Sequence, residues 1–73
     1  MPMKLADWVK EQPGTRADVA ARLGVRRSAL QKMMRGESFP RQGTLFAILD
    51  VTEGKVTAAD LERACIEYQA SLG

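Results

Sequence analysis

Seventy-three residues with eleven basic and nine acidic side chains, no histidine and a single cysteine allow one domain with one modest core, and they exclude an internal disulfide framework and the usual zinc-ligand spacings. A core this small calls for a helper, and a second copy of the chain is the expected one. The net charge of +2 conceals a division: residues 16–41 hold seven basic side chains against Asp18 and Glu37, net +5, whereas the remainder is net −3, a distribution that suits a face for a polyanion.

In chain order, Leu5, Trp8 and Val9 fall at i, i+3 and i+4 before Pro13-Gly14, which predicts a short first helix with Trp8 as a core anchor. Thr15 followed by Asp18 has the layout of a capping box, and Val19, Ala20 and Leu23 supply the buried side of a second helix. Gly24 suits the left-handed residue that ends a helix without a Cβ penalty. A third helix is then predicted over Arg26–Arg35 and stopped by Gly36. Within it, Arg27, Ser28, Gln31, Lys32 and Arg35 share an arc of about 140°, with Ala29, Leu30 and Met33 opposite and Met34 at the boundary.

After Pro40, the run Thr44–Leu49 fits either a helix or a buried strand. As a strand it pairs through Glu53-Gly54 into a β-hairpin and an α+β fold. As a helix it places Leu45, Ile48 and Leu49 on a core stripe and leaves Phe46 and Val51 off it. The helix is favoured because Val56 and Leu61 form a staple pair around the cap pair Thr57 and Asp60, which makes Glu53–Lys55 an interhelical turn. The last helix, about 58–72, carries Leu61, Ala64, Cys65, Tyr68 and Leu72 on one stripe, with Ile66 and Ala70 off it. Cys65, Met33 and Met34 read as packing residues. The expected architecture is all-α, five helices in one domain over 1–73, with no internal repeat or linker.

The run from Thr15 through Ala20, Gly24 and Leu30 to Lys32 resembles the helix-turn-helix of phage Cro/CI-type repressors (the Xre-like and YdaS/Cro-like proteins). There a small residue lets two helices cross, a glycine makes the turn and a leucine fixes the second helix on the first. The likeness continues through Gly36–Leu45 and Glu53–Thr57 and covers about residues 4–62. Cro-like proteins build their second half either as helices or as a β-hairpin, so the resemblance leaves both architectures open.

The resemblance implies a DNA-binding repressor whose third helix enters the major groove. Arg27, Ser28, Gln31 and Lys32 match the base-contacting positions of lambda-type Cro recognition helices. Their chemistry suits base reading, since Arg bonds bidentately to guanine, Gln to adenine, Ser to either base and Lys to guanine or phosphate. Side chains differ from that relative at Arg26, Arg27 and Gln31, so the roles carry over and the operator sequence does not. Thr15 and Arg16 at the start of the second helix, Arg41 and Gln42 at the start of the fourth, and the flanking Arg26 and Arg35 are the expected phosphate contacts.

A homodimer reading two half-sites of double-stranded DNA is expected, with Phe46, Val51 and Ile66 as candidate dimer contacts. Nothing in the residues points to an enzyme, a metal, a cofactor or a small-molecule ligand. Short apolar runs, and Met1–Met3 leading directly into Lys4 and Asp7, point to a cytoplasmic protein without a membrane partner. The alternative is a protein-interaction module acting through the last helix, such as an antitoxin with a toxin partner; within the regulators, a repressor of an anti-CRISPR-type operon is a further option.

Overall fold

The computed structural model describes residues 3–72; Met1, Pro2 and Gly73, the ends of the domain expected over 1–73, lie outside them. Five helices follow in order: α1 (Leu5–Glu11), α2 (Arg16–Leu23), α3 (Arg27–Arg35), α4 (Gln42–Val51) and α5 (Ala58–Leu72). There is no strand among the described residues, so the β-hairpin alternative is excluded and the architecture is all-α. No described helix is long and apolar enough to cross a membrane.

Several boundaries have a local chemical cause. At the start of α2, the Asp18 amide donates to Thr15 Oγ1 at 3.2 Å and the Thr15 amide donates to Asp18 Oδ2 at 2.9 Å, a reciprocal cap that satisfies two orphan groups. Gly24 ends α2 at φ 73°, and the Val25 amide closes onto the Ala20 carbonyl at 3.0 Å. α3 starts one residue later than expected, because Arg26 is extended and serves as its N-cap. α5 repeats the capping box: the Asp60 amide donates to Thr57 Oγ1 at 3.3 Å and the Thr57 amide to Asp60 Oδ2 at 2.9 Å.

The core is drawn from all five helices. Leu5, Trp8 and Val9 of α1, Val19, Ala20 and Leu23 of α2, Leu30 and Met33 of α3, Ile48 of α4, and Leu61 of α5 with Val56 before it form one buried cluster. The last helices depart from the expected stripes in two places. On α4, Val51 packs against the core with Leu45, whereas Leu49 is half-buried and outside the cluster. Val51 and Leu49 lie on opposite sides of the buried Ile48 and Thr52, each about 80° around the helix from their mean direction, so periodicity does not choose between them; the core extends to the Val51 side. Thr52 is satisfied there, its Oγ1 accepting from the Val56 amide at 3.3 Å. On α5, Leu61 is buried and Ala64, Cys65 and Tyr68 are half-buried, but Leu72 is 65% exposed. This 15-residue helix outruns the elements of 7–10 residues that it packs on, so its last turn overhangs.

The α5 cap carries a pH signature. The Thr57 amide, chiefly, holds the Asp60 carboxyl below the usual carboxylate range against the opposing effect of partial burial, helped by the Thr57 hydroxyl, the Met3 amide and Arg63. A carboxyl lowered on folding contributes stability above its unfolded pKa, and the contribution disappears as pH falls through the folded value. Asp60→Ala is therefore expected to lower unfolding free energy by about 0.5–1 kcal/mol at neutral pH. Urea titrations at neutral pH and at about pH 3 should show that difference shrinking in acid.

Candidate nucleic-acid interface

α2, the Gly24 turn and α3 form one packed unit. Ala20 is 2% exposed and Leu30 fully buried, so a small residue on one helix admits the other and the leucine fastens it from inside. With Leu30 and Met33 facing the core, helical geometry turns the opposite arc of α3 outward. Arg27, Ser28, Lys32 and Arg35 are exposed on it, while Gln31 is half-buried, less free than its place on the arc predicts.

The cations around α3 differ in what they already hold. Arg35 is paired with Glu37 at 2.7 Å; such an exposed pair is worth about 0–1 kcal/mol and opposes little to exchange for a phosphate. Arg22 donates to Gln12 at 3.2 Å and lies over the Trp8 ring at 5.7 Å, which gives it a local packing role and confirms Trp8 as buried support. Arg16, Arg26, Arg27, Lys32 and Arg41 have no ion-pair partner among the described residues.

The helix starts differ too. At α2 the Thr15 hydroxyl and the Thr15 and Asp18 amides are engaged in the cap, and the Asp18 carboxylate stands where an anion was expected. Arg16 remains exposed beside it. At α3 and α4 the N-caps are Arg26 and Arg41, neither making a side-chain cap bond. Gln42 is exposed as the first residue of α4.

Val25, Ala29, Met33 and Pro40 line an open groove of about 670 Å³ between these two helix starts, with Arg26, Arg41 and Phe39 also on it. Phe39 is 47% exposed; it is absent from the sequence-derived candidates, and its only signal was the Phe-Pro dipeptide after the α3 stop. Of the candidate dimer contacts, Phe46 on α4 and Ile66 on α5 stand 57% and 60% exposed, whereas Val51 is partly taken up by the core. No group of acidic, cysteine or histidine side chains among the described residues is placed to hold a metal ion.

No significant match was found among curated proteins or among solved structures. Residues 5–63 match the protein-family model described as Helix-turn-helix. That span takes in α1 to α4, the α2–turn–α3 unit and the start of α5, and on it the chain belongs to the helix-turn-helix family, as a DNA-binding transcription regulator.

Proposed function

We propose that the chain is a sequence-specific, dimeric repressor of the Cro type that reads the major groove with α3. The observation that carries this is the two-sided build of α3: Leu30 and Met33 are locked in the core while Arg27, Ser28 and Lys32 stand exposed on the opposite arc beside Gln31, Arg27 and Lys32 without an ion-pair partner among the described residues. Arg27 and Gln31 have the bidentate geometry for guanine and adenine, Ser28 bonds either base and Lys32 reaches guanine or phosphate. Arg16, Arg26, Arg35, Arg41 and Gln42 flank them as phosphate contacts, which set register and salt dependence rather than sequence. At Thr15 the contact is indirect, its hydroxyl holding the start of α2 in place.

A single module reads few base pairs, so two half-sites about 34 Å apart call for a dimer, and exposed Phe46 and Ile66 are the side chains offered to it. Val51 contributes less, because it also packs inward.

The test is titration of labelled DNA from immediately upstream of the gene against unrelated competitor, with footprinting. A competitor-resistant, roughly palindromic footprint is expected. Arg27→Ala and Gln31→Ala should each lose about 1–3 kcal/mol of discrimination at one base position per half-site. Binding that competitor removes equally, or that neither substitution changes, would overturn the reading. Exposed Ile66 and Leu72 on α5 favour, as a second reading, a protein partner such as a toxin; substitution of Ile66 would then abolish function while DNA binding persists.

A further inference from the structure

We propose that the groove between α3 and the start of α4 seats one sugar-phosphate strand of the duplex, with Phe39 against a deoxyribose and Arg26 and Arg41 on the phosphates to either side. This rests on the DNA reading above and adds to it an apolar contact with the backbone.

Pro40 restricts the residue before it to extended backbone. It is itself buried, so the peptide carrying Phe39 is anchored while the ring remains 47% exposed. Single exposed apolar residues are ordinary on protein surfaces. Phe39 differs in its neighbours: it shares a groove with two arginine side chains that have no carboxylate partner among the described residues. One groove thus offers an apolar ring and two positive charges, the groups that complement the sugar and the phosphates of one strand.

The side of α3 on which the groove lies selects the strand over the bases. Ala29 and Met33 line it, and both face away from Arg27, Ser28, Gln31 and Lys32 around the helix. When that polar arc meets base edges on the floor of a major groove about 12 Å wide, the phosphate strands pass along the flanks of α3 as the groove walls. Phe39 is therefore kept off the floor and its thymine methyls, and the apolar surface left for it to meet is the deoxyribose of a wall.

The experiment uses the full chain and a duplex selected by the wild-type protein from a randomised pool, with affinities measured across about 50–200 mM salt. Phe39→Ala should bind about five- to tenfold more weakly, and Phe39→Leu should fall between it and wild type. Both should keep the wild-type salt slope, because an apolar contact releases no counterion. Arg26→Ala and Arg41→Ala should each make the slope shallower by about 1.8, one phosphate contact being lost in each of the two half-sites. The loss in Phe39→Ala should persist on a duplex with deoxyuridine in place of thymidine.

Wild-type affinity in Phe39→Ala, a changed slope in either Phe39 variant, or a loss that vanishes on the deoxyuridine duplex would overturn the proposal. In each of those cases wild-type binding stands and the DNA reading survives. Failure of the wild type to bind any duplex in the pool would overturn both together. Thermal melting of each variant confirms that folded proteins are compared, and Phe39→Leu carries the test should Phe39→Ala melt early.

Discussion

Gly36→Ala is expected to lower unfolding free energy by about 4 kcal/mol or more, enough to leave much of the protein unfolded, since a chain of this length holds only about 4–11 kcal/mol in total. Two effects add. Gly36 ends α3 at φ 82°, where a Cβ costs about 1–2 kcal/mol. The site is also walled by α5, where an added Cβ would lie 2.1 Å from the Ala64 carbonyl oxygen and 2.5 Å from its carbon. Those are backbone atoms inside a helix and cannot swing aside as a side chain does, so α5 must shift off α3.

Gly24→Ala is the matched control. It has a similar φ of 73° but nothing within 4 Å of an added Cβ, so only the same conformational cost of about 1–2 kcal/mol remains. Thermal unfolding of both variants separates the two terms, at about 4–8 °C of melting temperature per kcal/mol for a domain this size. Equal losses at the two glycines would show that α5 is not held against the end of α3.

Leu30→Ala should lower unfolding free energy by about 2–5 kcal/mol. Leu30 is fully buried on the inner side of α3, so truncation removes apolar burial and leaves a cavity beneath the reading helix. Arg27→Ala, three residues earlier on the exposed side, should leave stability within about 0.5 kcal/mol while changing which DNA is bound. Chemical denaturation and DNA titration of the two variants thus report separately on the two sides of one helix. A Leu30→Ala protein as stable as wild type would mean that the inner face of α3 does not fasten it.

Glu37 bears on salt dependence as well. It holds the Arg35 guanidinium at 2.7 Å, and added salt screens such an exposed pair even as it weakens phosphate contacts. Of the cations around α3, Arg35 alone must trade a carboxylate for DNA, whereas Arg27 and Lys32 are presented without an ion-pair partner among the described residues.

Much of this was legible along the chain because it depends on chemistry within four residues. The boxes Thr15/Asp18 and Thr57/Asp60, the left-handed Gly24 and Gly36, and the opposed faces of α3 all follow from i to i+3 and i+4 relations, and each is present in the fold. Whether residues 44–49 formed a strand or a helix was harder, since period alone does not separate the two in a short apolar run. The local cap at Thr57 pointed to the helix, and α4 is one.

Residues distant in sequence decided the rest. Val51 packs on the core and half-buried Leu49 does not, although both lie equally far around α4 from Ile48 and Thr52, so the choice is set by the other helices and not by the α4 stripe. Arg22, ten residues from Gln12, is tied to it and rests on Trp8. By itself the sequence determined five helix-forming segments, their caps, and a third helix polar on one side and apolar on the other. Only the tertiary structure decided which apolar side chains are covered, which cations lack an ion-pair partner among the described residues, that Gly36 abuts α5, and that Phe39 shares a groove with Arg26 and Arg41. Helical periodicity assigns a residue to a face, but what that face meets depends on how separate helices cross.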